Sequence, residues 1–251
     1  MRRILHVGWI GIAIVGVFTA CGPTLEERKK RAESQYEIGI AELSSQNLTQ
    51  AFEAFEAAQA IYDDDPRFHN GLGLIYFQQR QYPEAVAAFR KALRLDSNFT
   101  EARNNLGSTY AQMRQWDEAI AMFRETINDP FYHTPELAYY NLGMALMEKG
   151  ELIDAVKELH TAVQLRPDFS RALDKHGVAL FRLNRVQEAI KQFQEALKND
   201  PAYVEPHLNL GLAYMKQGKK AEAIEEFKFV TNNSNDESLV SSARRYLEIL
   251  E

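Results

Sequence analysis

Six glycines keep one register through most of this chain. Gly39, Gly73, Gly107, Gly143, Gly177 and Gly211 stand 34, 34, 36, 34 and 34 residues apart. Twelve residues after each comes an alanine (Ala51, Ala85, Ala119, Ala155, Ala189, Ala223). Four further on comes a large apolar residue (Phe55, Phe89, Phe123, Leu159, Phe193, Phe227). Self-similarity at this period means one small unit stacked many times, not a single closed core.

Each unit holds two stretches with apolar residues at i, i+3, i+4 and i+7, joined by a short polar turn, which predicts a pair of helices. A glycine inside a helix costs nearly 1 kcal/mol against alanine, so six of them need a reason. The expected one is close crossing of the two helices, with the small alanine opposite the missing Cβ and Phe or Leu wedged toward the next unit. The register resembles the tetratricopeptide repeat (TPR), with units at 32–65, 66–99, 100–135, 136–169, 170–203 and 204–235. The resemblance implies an all-α, right-handed superhelical solenoid of six repeats whose first helices line the concave side. Residues 236–251 place Leu239, Ala243, Tyr246, Leu247 and Leu250 on one stripe and read as a capping helix.

The front end reads differently. Arg2 and Arg3 precede an apolar run from Ile4 to Phe18, too short for a membrane span and laid out like a secretory leader, 1–20. Phe18-Thr19-Ala20-Cys21 resembles the bacterial lipobox, with Phe where Leu is commoner. That resemblance implies cleavage before Cys21, acylation of its thiol (palmitate among the acyl groups) and a lipidated linker over 21–31. Gly22, not Asp, follows the cysteine, so the expected home is the periplasmic face of the outer membrane. Cys21 is the only cysteine, so no internal disulfide is available. "LEERKKRAES" (Leu25 to Ser34) is read as a solvated helix face, with lipid-headgroup contact the alternative.

The chain carries net charge −6 and no basic cluster beyond that stretch, which disfavours nucleic acid as a partner. The repeats leave no room for a catalytic domain, so no enzyme activity, cofactor or metal is expected. His69, His133, His160, His176 and His207 show no metal-ligand spacing, and His176 is expected to be a satisfied core histidine. "YDDDPR" is read as a turn with Asp65 capping a helix that opens on Pro66. Trp116 is expected in the core, where sibling repeats have Leu48, Tyr82, Leu152 and Val186.

The remaining surface is the groove. Inner positions supply Tyr36, Ile40, Leu43, Leu74, Phe77, Tyr140, Met144, Met147, Val178, Phe181, Leu208, Leu212 and Met215, with a polar break at Asn104 and Asn105. Contiguous apolar surface on this scale predicts a protein ligand, with methionines suited to an adaptable fit. The Lys/Asn pairs of carboxylate-clamp TPR modules are absent: Asn70, for one, is paired with Leu74. Asn105, Asn141 and Asn209 share one position and are candidates for holding a peptide backbone.

The 36-residue spacing comes from "NDPFYHTPELAYYNLGMAL", where Thr134-Pro135-Glu136 restarts the helix after a longer aromatic junction. The junction is expected to alter the step between repeats 3 and 4. A lipobox, about 230 mature residues, six TPRs and "FYHTPELAYYNLG" together resemble the type IV pilus biogenesis lipoproteins, the PilF/PilW/Tgl group of secretin pilotins. The resemblance implies an outer-membrane chaperone that binds the pilus secretin and promotes its insertion and multimerisation. The alternative is a periplasmic scaffold recruiting peptidoglycan-remodelling enzymes.

Overall fold

The computed structural model describes residues 22–250. The expected leader and Cys21 lie outside them. Thirteen helices follow in order: α1 (Leu25–Ser44), α2 (Leu48–Ile61), α3 (Pro66–Gln78), α4 (Tyr82–Leu95), α5 (Thr100–Gln112), α6 (Trp116–Ile127), α7 (Pro135–Lys149), α8 (Leu152–Leu165), α9 (Ser170–Arg182), α10 (Val186–Asn199), α11 (Val204–Lys216), α12 (Lys220–Asn233) and α13 (Glu237–Leu250). Odd-numbered helices open each repeat and even-numbered ones close it. None of the helices is long and apolar enough to cross a membrane.

The glycines do permit close crossing, but the partner is not the alanine. A Cβ built on Gly39 would lie 2.5 Å from the Phe55 ring, and one on Gly177 2.5 Å from Phe193. The ring of each second helix, or Leu159 in repeat 4, therefore rests on the glycine of its own first helix, and Phe55 also touches the following repeat at Gly71. The six register alanines are fully buried around these rings.

A second periodic feature sits seven residues after each glycine. Gln46, Arg80, Arg114 and Asn184, with Gly150 and Gly218, adopt positive φ between 58° and 93°. The left-handed residue turns the chain from first helix to second in every repeat, and only two of the six are glycine.

First helices touch the first helices of neighbouring repeats, α1 on α3 through to α11 on α13, whereas no two second helices meet. Each second helix also packs on the first helix of the next repeat, and the closer approach of first helix to first helix curves the stack with the odd-numbered helices on the inner face. One buried cluster runs without interruption from Ala85 and Phe89 to Leu159 and Ala179, across repeats 2 to 5.

Both ends depart from, or refine, the sequence expectation. The linker expected over 21–31 is helical from Leu25, because Thr24 and Glu27 form a capping box. Arg28 then donates through Nε and Nη2 to the Ile61 carbonyl at the end of α2, at 3.0 and 2.7 Å. At the far end, the expected stripe of α13 packs on Phe227 and Val230. The junction holds Pro130 and an 83% exposed Phe131 in a turn where Asp129 accepts from the Phe131 N–H and the Thr100 hydroxyl. Thr134 is the N-cap of α7, but its side chain makes no cap bond.

Candidate binding groove

The inner helices bring the expected groove residues onto one face, but not as an open greasy surface. Only Ile40, 39% exposed, ranks among the exposed large hydrophobic residues. Tyr36 lies between the rings of Phe55 and Phe68, 5.7 and 5.5 Å away, with the Arg67 guanidinium 4.9 Å over it. Leu43, Leu74, Phe77, Tyr140, Met144 and Val178 are half-buried against the core, and Phe181 carries Lys216 over its ring at 5.0 Å. Leu208, Leu212 and Met215 pack on the cluster that α13 closes. Met147 is a correction: at 3% exposure it is core, not groove. It occupies the repeat position that the smaller Ala111, which lines a notch, holds one repeat earlier.

The asparagines expected to meet a peptide are each engaged with a side chain of the preceding repeat's first helix. Asn105 Nδ2 donates to Asn70 Oδ1 at 3.1 Å, Asn141 to Asn104 at 3.4 Å and Asn209 to Asp174 at 2.7 Å. The result is a ladder of polar rungs between adjacent first helices. The rung across the lengthened junction is the longest of the three, yet it is kept. Asp174 is fully buried and also accepts from Lys175 Nζ at 2.9 Å. Burial pulls the Lys175 ammonium down, but Asp174 outweighs it and the group is raised. Burial also raises the Tyr140 phenol, against the nearby Lys175 and Arg171.

At the polar break the groove deepens into a notch of 620 Å³. Phe77, Tyr140, Asn141 and Met144 meet there, joined by Ser108 and Ala111 of repeat 3. Trp116, Arg114 and Glu148 also line it, and none of these was expected at the site. Trp116 is half-buried, not core, with its indole along the notch wall. The signal was present: repeat 3 alone pairs a small residue, Ala111, at the twelfth helix position with the largest side chain, Trp116, five residues on. A larger depression of 760 Å³ lies beside the start of α1, but its charges answer one another. Arg67 binds Glu33 at 2.5 Å and Asp65 at 2.7 Å there.

The remaining site expectations resolve individually. Asp65 caps α3 by accepting from the Arg67 N–H at 2.9 Å, and Asp63 takes Lys91 and His69, each at 3.2 Å. Among the described residues no group of three or more His, Cys, Asp or Glu is arranged to hold a metal ion. His176 is buried, as expected, but its Nδ1 has no partner, so it is not fully satisfied.

Sequence models of the TPR repeat match residues 73–113 and 177–218, and tetratricopeptide-repeat models match 100–129 and 136–169, together just over half the chain. These are repeats of a protein-interaction scaffold. No curated protein matches by sequence. Among solved structures, PilF of Pseudomonas aeruginosa superimposes with TM-score 0.77 at 16% identity, covering 87% of this chain and 99% of its own. PilW, described as a widely conserved type IV pilus biogenesis factor, gives 0.78 at 20% identity, covering 84% and 97%. YrrB, described as a TPR protein with an unusual peptide-binding site, gives 0.61 at 24% identity, covering 78% and 100%.

Proposed function

We propose, from the premise that this chain belongs to the tetratricopeptide-repeat proteins, that it is a lipid-anchored pilotin of the outer membrane. It would hold a segment of the type IV pilus secretin in its inner groove while the secretin inserts and multimerises. The observation that carries the reading is the end-to-end likeness to PilF and PilW, each matched over nearly its whole length. The lipobox and the lengthened junction of the sequence point the same way. Catalysis has no part in the role.

The short tether supports it. With α1 starting at Leu25, only Gly22, Pro23 and Thr24 separate Cys21 from a rigid helix. At ~3.5 Å per residue that is about 10 Å of slack, so an acylated Cys21 would keep the solenoid against the bilayer. Tethering of this kind raises the local concentration of a membrane-bound client without any new contact. The notch is the natural seat for an anchoring side chain, because aromatic walls and a charged rim are the makings of a binding hot spot.

The experiment is deletion of the gene followed by gel analysis of heat- and detergent-resistant secretin multimers. Multimers should vanish while monomer persists; unchanged multimers end the pilotin reading. Ala111→Met addresses the groove separately. It installs the residue that repeats 4 and 6 carry at the same position, Met147 and Met215. It should fill the notch, keep the helical signal and weaken partner binding. Tyr36→Asp is unsuitable for this purpose, since Tyr36 is wedged between two core rings.

A further inference from the structure

Repeat 5 carries an unusual residue in its first helix. His176 stands where repeats 2, 3, 4 and 6 have Leu72, Leu106, Leu142 and Leu210. Leu180 stands, as Leu146 does in repeat 4, where repeats 2, 3 and 6 have Tyr76, Tyr110 and Tyr214. A cleft of 360 Å³ lies here, with α9 supplying His176 and Leu180. Lys157 and His160 of α8 form one wall, and Arg185, Glu188 and Lys191 at the start of α10 form the other.

Charge in this cleft is unbalanced. Three cations face one carboxylate, and Arg185 already holds that carboxylate, Glu188, at 2.7 and 2.6 Å. The Lys157 side chain is 76% exposed, its nearest carboxylate 3.5 Å away on Glu158. Lys191 has no ion-pair partner among the described residues. Below them His176 is only 5% exposed, and its Nδ1 finds no hydrogen-bond partner. A buried polar atom left unpaired costs ~1–3 kcal/mol, and such atoms in native proteins call for a specific reason. The His160 ring lies 5.5 Å from it. Two lysines and two imidazoles line this part of a chain of net charge −6, and among the described residues only Lys157, through Glu158 on its own helix, has an ion-pair partner.

We propose that this cleft binds a small oxyanion, a phosphate or phosphomonoester group. Lysine ammonium groups serve phosphate as point charges, and a neutral imidazole donates from whichever ring nitrogen carries its proton. The volume equals that of about a dozen water molecules, enough for a tetrahedral anion with a small ester group and too little for a helix or strand of a partner. Because the cleft is lined by α8, α9 and α10 and shares no residue with the notch, occupancy would bridge repeats 4 and 5 without filling that notch.

The test is amide chemical-shift titration and calorimetry on the full-length protein at fixed ionic strength. Sulfate, inorganic phosphate and glycerol phosphate form separate arms, with chloride as the control. Saturable shifts should concentrate on α8, His176 and the first turns of α10. Lys157→Gln with Lys191→Gln should weaken binding at least tenfold and leave helicity and thermal midpoint unchanged. His176→Leu, the siblings' own residue, should also lose binding while folding normally. Tighter binding of glycerol phosphate than of inorganic phosphate would assign the site to phosphomonoesters, and the reverse to the free ion. Linear shifts spread over surface lysines, or equal affinity in the double variant, would overturn the proposal.

Discussion

A neutral imidazole buried in repeat 5 ties stability to pH. Burial, aided by the neighbouring His160, pushes His176 down to about 4 from its ordinary 6.5. The unfolded chain therefore binds a proton that the folded one refuses between those values. The contribution of neutral His176 is whole above pH 6.5 and is lost as pH falls toward 4, by at most ~3 kcal/mol at about 1.4 kcal/mol per unit. His176→Leu should flatten the difference between urea midpoints at pH 7 and pH 4.5; an unchanged slope would show the ring to be solvated. The left-handed turns make a second residue-scale case. Arg80 sits at φ 60° and Gly150 at φ 93°. A side chain in that region costs ~1–2 kcal/mol, partly offset by the chain entropy that glycine adds to the unfolded state. Arg80→Gly should therefore raise the thermal midpoint slightly, and Gly150→Ala should lower it by the equivalent of about 1 kcal/mol. These turns were not legible beforehand, since Gln, Arg, Asn and Gly share no pattern at the position. The register glycines were, although their contact is with a phenyl ring, or with Leu159 in repeat 4, and not with alanine.

Helices were the most readable level, because apolar periodicity and the Asp65-Pro66 start speak directly of local structure. The overhang of α1 was legible only in part: Leu25 to Ser34 read as a helix face, yet the expected linker ran to residue 31. The capping box lies in Thr24 and Glu27, ahead of the point where the repeat register begins. Thr24→Ala should remove about 1 kcal/mol of capping and speed hydrogen exchange over residues 25–31, leaving the global thermal midpoint in place. Slow exchange there in the variant would mean that Arg28 on the Ile61 carbonyl suffices to hold the overhang. α13 is the opposite case, an element visible in the sequence as a stripe. Truncation after Asn235 should strip cover from Phe227 and Val230, lower the midpoint and promote association, as loss of a capping unit does in repeat proteins. Calorimetry and light scattering would show both.

At the scale of the molecule, the repeat count and stacking were legible, and the depth of the groove was not. Helix positions tell which side faces inward, but they do not tell how far neighbouring repeats close over each side chain. That is why Met147 passed for surface and Trp116 for core. Stability is expected to grade along the array, since each repeat leans only on its neighbours. The continuous cluster of repeats 2 to 5 should exchange its amides last, and the α1–α2 pair and α13 first. The packing between repeats also has a mechanical consequence. Inner helices abut, and each second helix is seated along the first helix of the next repeat. A change of pitch must shift both sets of contacts at once, so the solenoid should resist stretching and compression alike and present its groove at a preset width.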